Sequence, residues 1–309
     1  MANIIYKEQL EKAVSGTRIS GLILCGSYNI QLTKTNKEYV AGTMRSGCDI
    51  QFKAWGTSSA FTKLKSEEHQ NCVCNISGTF DNYGGNLSII LDDIVAVEYD
   101  DISVFLPTKY DTDAYWNALV ATVKQTVSEK AFNIANKVLF ENEEVAKAFK
   151  IEFAASGHHD NCKGGLLAHT YKVVRNMIYL AQSYPVYNKE WGLDLLVLGA
   201  LFHDIGKTRE MKLGVYQKES MVTHRYLGIE MLDRDLIIQS YNEEFYMFMV
   251  SIILQHHDTF DDKARTLYAQ MVFFADIADA WMTDIQQAME TPISGSVPKI
   301  KFDGKYLIY

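Results

Sequence analysis

Apolar and polar residues alternate along much of the first hundred residues. Residues 50–55 and 75–80 have the period of two that places successive side chains on opposite faces of a strand. A turn with two glycines at 81–86 leads to another apolar run at 87–91. Several short strands with such turns, and no long helical run between residues 17 and 98, predict a small closed barrel of five strands.

The pattern changes to a helical period after residue 100. Asp111 and Asp113 precede a capped amphipathic run at 114–123, and two further helical runs follow at 129–140 and 143–153. Longer apolar helices are predicted at 169–184, 193–203, 243–257 and 267–281, with a shorter one at 223–232. We therefore expect a multi-domain α+β protein with four parts. These are an N-terminal OB-like β-barrel (1–100), a helical connector (101–150), an all-α helical bundle (151–290) and an extended, β-like tail (291–309).

Composition narrows the class of protein. The 309 residues are 48% hydrophobic and 22% charged, with a formal net charge of −8, which excludes a uniformly cationic nucleic-acid-binding protein. The five cysteines form no metal-binding or disulfide pattern, so we expect buried free thiols. The N-terminal residues lack the pattern of a signal peptide. No apolar run approaches the roughly 20 residues that span a bilayer. These features predict a cytoplasmic protein without a membrane partner.

Candidate chemistry is concentrated in the predicted bundle, where seven of the eight histidines fall between residues 158 and 257. Several of them end or interrupt apolar helices, where burying an imidazole or a carboxylate is costly without compensation. A single such residue is usually a satisfied core residue. Five helices that each deliver one indicate a metal centre in the bundle. The candidate ligands are His169, His203, Asp204, His224, His256, His257 and Asp276.

This ligand set is larger than one ion requires, so we predict two divalent ions. The first would be held by His169, His203, Asp204 and Asp276; the second would be held by His224 and His256 and would share Asp204 as a bridge, with His257 oriented toward the same site. Two ions about 3.5–4 Å apart can activate a hydroxide and clamp a phosphodiester. Mixed imidazole and carboxylate ligands favour Mn²⁺, Fe²⁺, Co²⁺, Ni²⁺ or Zn²⁺ over Mg²⁺.

Lys207 follows Asp204 by three residues, and we predict that both are catalytic, with Lys207 holding a phosphate oxygen or the hydroxide. The alternative for Lys207 is a cation at a helix C-terminus. His158 and His159 could contact a phosphate or the leaving group, or they could belong to a polar surface loop.

Aromatic residues of the barrel are candidates for stacking on the bases of a single strand. Phe52, Trp55, Phe80 and Tyr83 are these candidates, and Lys53, Lys63 and Lys65 lie near them in sequence. The alternative is that each aromatic side chain fills the barrel core. Tyr83 is the best candidate because it lies in the predicted turn.

The ligand motifs resemble those of the HD-domain metal-dependent phosphohydrolases. In particular, they are similar to the motifs of the YhaM-type 3′→5′ exoribonucleases. The motifs in question are His158-His159 ahead of Gly165-Leu166-Leu167-Ala168-His169, then His203-Asp204-Ile205-Gly206-Lys207, and finally Gln255-His256-His257. The stretch from Gly78 to Leu87 is similar to their OB hairpin. The likeness extends over roughly residues 17–284. It implies stepwise removal of nucleotides from a single-stranded 3′ end, dependence on manganese or cobalt, and a homo-oligomeric assembly.

The residues and the resemblance together predict a metal-dependent 3′→5′ exonuclease that acts on single-stranded RNA, with single-stranded DNA as a further candidate substrate. Its chemistry would use a hydroxide activated by the two ions, of which Mn²⁺ is the first candidate. One alternative is an HD phosphodiesterase or phosphohydrolase acting on small or cyclic nucleotides. A third is a non-catalytic single-strand-binding protein with a relic HD domain, which the full ligand set argues against.

Overall fold

A computed structural model describes residues 3–83, 86–99, 101–155, 160–257, 263–290 and 299–308. The side chains of residues 11, 83, 86, 302 and 306 are outside that description. The chain divides into two compact units, Met1–Thr108 and Lys109–Tyr309. The first is a β-barrel and the second is mainly helical, so the predicted fold class, an OB-like barrel followed by a helical bundle, is confirmed.

Five strands form the closed barrel of the first unit in the order β1-β2-β3-β5-β4. Four of the strand pairings are antiparallel and one is parallel. The strands are β1 (Arg18–Leu32), β2 (Glu38–Arg45), β3 (Asp49–Trp55), β4 (Val73–Tyr83) and β5 (Asn86–Val97), and two short helices, α1 (Lys7–Glu11) and α2 (Ser59–Ser66), accompany them. Closure depends on a parallel pairing of β3 with β5, in which Phe52 lies opposite Ile89. A closed sheet leaves no edge strand to pair with another chain.

The alternation in β3 decides which aromatic side chains reach solvent. Ile50, Phe52 and Ala54 point into the barrel, and Phe52 is only 1% exposed. The prediction that Phe52 stacks on a nucleic-acid base is therefore wrong, since the period of two assigns it and Trp55 to opposite faces of the strand. Phe80 is buried as well. Trp55 is 39% exposed and contacts Tyr39, its partner on β2, with 5.0 Å between the ring centroids.

Ten helices form most of the second unit among the described residues. They are α3 (Thr112–Thr126), α4 (Glu129–Ala135), α5 (Glu143–Ile151), α6 (Gly165–Ser183), α7 (Gly192–Phe202), α8 (Lys207–Glu210), α9 (Thr223–Met231), α10 (Arg234–Ser240), α11 (Glu243–Gln255) and α12 (Leu267–Glu290). Side-chain caps start several of them: the Asp111 carboxylate accepts from the Ala114 N–H, and the Ser128 hydroxyl accepts from the Ala131 N–H. These starts agree with the polar residues that precede each apolar run.

Helix α7 is the centre of the bundle, because every one of its residues except Leu193 is buried. A helix that is apolar on all sides must be surrounded by other elements. Helices α6, α11 and α12 contact it. The predicted connector helices also belong to this second unit, in which α3 and α5 contact α6.

Two short hairpins complete the second unit. Strands β6 (Met211–Lys212) and β7 (Val215–Tyr216) follow α8, and β8 (Lys299–Phe302) pairs with β9 (Lys305–Ile308) in the predicted β-like tail. All five cysteines are free thiols. Among the helices described, none combines the length and the hydropathy needed to cross a bilayer.

Gly206 has a structural role that differs from the helix-stopping role its position suggests. Its φ of −64° is ordinary for any residue, so the chain does not need glycine for its backbone angles. A Cβ atom here would lie 1.9 Å from the carbonyl oxygen of His224 and 2.6 Å from the amide nitrogen of Gly228. Glycine therefore allows the turn after α7 to lie directly against α9.

We expect Gly206→Ala to lower the free energy of unfolding by about 1–3 kcal/mol, the usual cost of overpacking a dense interior. Gly228→Ala is the matched control from the facing helix, because its Cβ would meet side-chain atoms no closer than 3.3 Å. Urea unfolding of both variants, monitored by far-ultraviolet circular dichroism, measures the difference. Equal stabilities of the two variants would contradict the close approach.

Candidate metal centre

The structure brings all seven predicted ligands to one place in the helical unit. They come from five segments that are far apart in sequence. His169 lies on α6, His203 and Asp204 follow α7, His224 lies on α9, His256 and His257 follow α11, and Asp276 lies on α12. Local sequence explains part of this arrangement, since two of the segments are the ends of apolar helices that run into the bundle core.

The first group of ligand atoms comprises His169, His203, Asp276 and one oxygen of Asp204. His169 Nε2 is 3.1 Å from Asp276 Oδ1, 3.3 Å from His203 Nε2 and 3.7 Å from Asp204 Oδ2. His203 Nε2 lies 3.4 Å from the same Asp204 oxygen. Ligand atoms about 2.1 Å from one ion are roughly 3–3.5 Å apart. These separations fit a common metal ion.

The second group lies on the other side of Asp204. His224 Nε2 and His256 Nε2 are 3.5 Å and 3.6 Å from Asp204 Oδ1. His257 belongs to the same cluster, in which the ligand atoms of Asp204, His224, His256 and His257 all lie within 4.8 Å of one another. The two oxygens of Asp204 thus face different groups of imidazoles, as a bridging carboxylate requires.

Three buried polar atoms of the second group have no hydrogen-bond partner among the described residues: Asp204 Oδ1, His224 Nε2 and His256 Nε2. Buried polar atoms are nearly always paired, and each unpaired one costs roughly 1–3 kcal/mol. Three that converge on one point fit a bound cation, which would satisfy all of them. The ligand set therefore fits the predicted dinuclear centre.

Four of the five candidate imidazoles are oriented through their other nitrogen. His203 Nδ1 bonds the Ala200 carbonyl at 2.8 Å, and His256 Nδ1 bonds the Ile253 carbonyl at 2.9 Å. Because a carbonyl only accepts, these Nδ1 atoms carry the proton and leave the Nε2 lone pairs free to bind metal.

Carboxylates have the same role for His169 and His224. Asp279 Oδ2 lies 2.7 Å from His169 Nδ1, and Glu210 Oε2 lies 3.0 Å from His224 Nδ1. Both acids are buried. Sequence reasoning missed them, although Asp279 stands one helical turn after Asp276, a spacing that places both on the same side of α12. Glu210 offers no comparable signal in the sequence.

Asp279 is itself held by a buried polar network. Lys172 Nζ lies 3.0 Å from Asp279 Oδ1 and 2.9 Å from Asp160 Oδ2, and it also bonds the Thr283 hydroxyl. Tyr110 donates its hydroxyl hydrogen to the other oxygen of Asp160. One lysine thus compensates two buried carboxylates, and the charge beside His169 is fixed in place.

Electrostatics inside the centre favour a bound cation. Burial opposes the charged form of His169, but Asp276 and Asp279 outweigh this effect and raise its pKa to about 10. Burial also opposes ionisation of Asp204, yet Lys207 and His203 hold the pKa of its carboxyl well below the usual range. The same two carboxylates that favour a proton on His169 would favour a metal ion in its place.

Lys207 lies at the predicted position beside Asp204. Its Nζ is 2.7 Å from Asp204 Oδ2 and 2.7 Å from the Ala154 carbonyl oxygen. Lys207 also lines a cleft of about 200 Å³ that opens onto His169, Asp204 and His257. Lys207 thus contacts the candidate ligand Asp204 and borders the cleft at the candidate metal centre.

The predicted nucleic-acid contacts are only partly described by the structure. His158 and His159 lie outside the described residues, as does the side chain of Tyr83. Trp55 is exposed on the barrel, and Tyr39 beside it was missed by sequence reasoning, although strand pairing places them opposite one another. Two of the three nearby lysines, Lys63 and Lys65, form ion pairs with Asp93 and Glu38.

Comparison with known families agrees with the architecture of this site. The model of the HD domain family matches residues 166–281, a range that includes all seven ligands. The chain therefore carries an HD domain. The resemblance to YhaM-type proteins is also confirmed, because the 3′-5′ exoribonuclease YhaM of Bacillus subtilis is 23% identical over 258 residues. That match covers 78% of this chain and 78% of the relative.

A second relative differs in both length and chemistry. The dihydroneopterin 2′,3′-cyclic phosphate phosphodiesterase of Methanocaldococcus jannaschii is 28% identical over 136 residues, which cover 43% of this chain and 53% of that enzyme. The chain thus spans about half the length of this relative. Among solved structures, the mitochondrial single-stranded DNA-binding protein Rim1 of S. cerevisiae is similar to 28% of this chain over its whole length, with 14% identity and a TM-score of 0.25.

Asp279 and Glu210, which bond to His169 and His224, lead to a prediction about the two metal ions. Asp279→Asn can present an N–H group to His169 Nδ1 and so favour the wrong tautomer. We expect it to weaken binding of one ion by about 10–100-fold, the usual effect of losing such a partner. Glu210→Gln is the matched control for the other group. Titration of metal-free protein with Co²⁺, followed by visible absorption and metal analysis, measures both affinities.

Combined variants identify which ion is affected. Asp279→Asn with His203→Ala should weaken one ion only, because both changes act on the first group. Asp279→Asn with His224→Ala should weaken both ions. Two ions bound with wild-type affinity in Asp279→Asn and in Glu210→Gln would show that these carboxylates do not orient the ligands.

Proposed function

We propose that this protein is a metal-dependent 3′→5′ exonuclease that hydrolyses single-stranded RNA, and also single-stranded DNA. The observation that carries the proposal is the bridging position of Asp204, with one carboxylate oxygen facing each group of imidazoles. Such a centre suits phosphodiester hydrolysis. The similarity to YhaM exoribonucleases, which extends across 78% of the chain, supports the choice of a polymeric substrate.

In this proposal the ligands are the seven residues predicted from sequence, and Mn²⁺ is the ion that we favour. When bound, two such ions lower the pKa of water and neutralise charge that develops on a phosphodiester. Asp204 holds both groups together, while Asp279 and Glu210 keep the His169 and His224 rings oriented. Lys207 has three N–H donors, of which two go to Asp204 and Ala154. Because Lys207 lines the cleft, its third donor can bind a phosphate oxygen of the substrate.

The barrel would bind the single strand that the HD domain hydrolyses, through aromatic and uncharged polar side chains. The exposed Trp55 on β3 forms an aromatic pair with the half-buried Tyr39 on β2. Tyr28, Gln31 and Gln51 line a shallow pocket on the surface of β1 to β3. Stacking on aromatic rings tolerates any base. Such a surface suits a strand-binding role that is independent of sequence, even in a chain with a net charge of −8.

A second candidate function is hydrolysis of a small or cyclic nucleotide phosphodiester. The match to a cyclic phosphate phosphodiesterase over 43% of this chain favours it. In that case the barrel would serve assembly. We retain the homo-oligomer, the cytoplasmic location and the four-part domain division as further proposals.

A time course with 5′-labelled single-stranded oligonucleotides separates the two functions. We expect a ladder of products that shorten from the 3′ end when Mn²⁺ is present, on RNA and on DNA, and no reaction after chelation. Turnover of a cyclic nucleotide without a ladder would support the second function instead. A 3′-phosphorylated copy of the same strand is the control, since it distinguishes attack at the free end from internal cleavage.

We expect Asp204→Ala to abolish hydrolysis, because Asp204 alone among the described candidate ligands has one oxygen facing each group. The fold should remain, since the variant removes a buried charge whose neighbours include Lys207 and several imidazoles that can bind water. Circular dichroism checks the fold, and metal analysis should find fewer ions per chain than in the wild type. Hydrolysis at the wild-type rate would contradict the dinuclear proposal.

Trp55→Ala should weaken binding of a single strand by about 1–3 kcal/mol, which is typical of one stacked base. Fluorescence anisotropy with a labelled oligonucleotide, measured without divalent metal to prevent cleavage, gives the dissociation constant. Phe52→Leu is the matched control, because Phe52 is in the core and cannot contact the strand. A larger loss of affinity in the control than in Trp55→Ala would contradict the proposed surface.

A further inference from the structure

One face of α12 combines a metal ligand with apolar side chains. Phe273, Asp276, Ile277 and Ala280 are spaced at i, i+3, i+4 and i+7, which places them on the same side of the helix. All four line the cleft at the metal centre. The adjacent residue Phe274 is about 100° further around the helix and is 52% exposed outside the cleft.

Polar and apolar side chains both line the cleft. The polar ones are His169, Asp204, Lys207, His257 and Asp276, and the apolar ones are Phe273, Ile277 and Ala280. Its volume of about 200 Å³ is below the roughly 300–1,000 Å³ of pockets for drug-sized ligands. A space of this size suits one monomer of a polymeric substrate, in which a charged group and an apolar group lie close together.

A terminal nucleotide has this combination of groups. Its phosphate is an anion that suits Lys207, and its base has flat faces that pack on aromatic and aliphatic side chains. We propose that Phe273 and Ile277 form a subsite for the base of the 3′-terminal nucleotide. This inference rests on the proposed exonuclease function and defines the part of the substrate that the cleft recognises.

The lining also predicts what the subsite ignores. Among the described residues that line the cleft there is no Asn, Gln, Ser or Thr side chain. Such side chains are the ones that usually hydrogen-bond the edges of a base. The face of the base is therefore the recognised feature, and all four terminal bases should be removed at similar rates.

The experiment compares two oligonucleotides that differ only in whether the 3′-terminal residue carries a base or is abasic. Wild-type protein with Mn²⁺ should remove the abasic residue with a kcat/KM lower by about 5- to 150-fold, the equivalent of one stacked base. Phe273→Ala should lose this preference by slowing on the normal strand alone. Its unchanged rate on the abasic strand also shows that it folds and binds metal.

Two further variants test whether the position of the ring matters. Phe273→Tyr keeps an aromatic face and should restore most of the preference. Phe274→Ala removes the same side chain from the next position on the helix, outside the cleft, and should behave as wild type. If Phe274→Ala loses the preference and Phe273→Ala keeps it, the base lies on the exposed face of α12 and the proposal is wrong.

The outcomes separate this inference from the exonuclease proposal. Equal rates on normal and abasic strands, with a clear ladder from both, overturn the base subsite and leave the exonuclease intact. If neither strand gives a ladder, the exonuclease proposal is overturned and the subsite with it. A strong preference among the four terminal bases would show recognition of base edges, which contradicts the subsite described here.

Discussion

Asp204 is a carboxylate buried among imidazoles in the middle of an apolar bundle, and the helical unit is arranged around the cost of that burial. Removing a charge from water is expensive unless nearby groups compensate it. Lys207 compensates one oxygen, while the other oxygen faces two imidazole nitrogens that have no partner among the described residues. Two bound cations would complete the compensation. Every helix that contributes a ligand therefore has to meet at this carboxylate.

The four ligating histidines that have described Nδ1 partners are oriented in two different ways. His203 and His256 stand at the ends of α7 and α11, and each bonds a carbonyl three residues earlier in its own helix. His169 and His224 lie near the starts of α6 and α9, where the free backbone groups are N–H groups rather than carbonyls. They depend on carboxylates from other elements, Asp279 on α12 and Glu210 on α8. A backbone carbonyl of the same helix can orient an imidazole at the C-terminal end of that helix. Elsewhere a carboxylate from another element is needed.

The two-residue period of a β-strand decides which side chains of the barrel reach solvent. Alternation along β3 places Phe52 in the core and Trp55 on the surface, so residues only three apart in sequence have opposite roles. Pairing with β2 then places Tyr39 beside Trp55. A helix follows the same logic with its own period, because α12 carries Asp276 and Phe273 on the face that lines the cleft and Phe274 on another.

Sequence alone determined the order of the two folds, most helix starts and the choice of the seven candidate ligands that the structure brings together, because each leaves a local signal. The period of hydrophobicity identifies strands and helices, capping residues mark helix starts, and polar residues within apolar helices are too costly to be accidental. Only the tertiary structure decided which partners orient the ligands, which aromatic side chains reach solvent and why Gly206 must be glycine. Each of these depends on the distance between segments that are far apart in sequence, such as Asp279 and His169, and no local pattern encodes that distance.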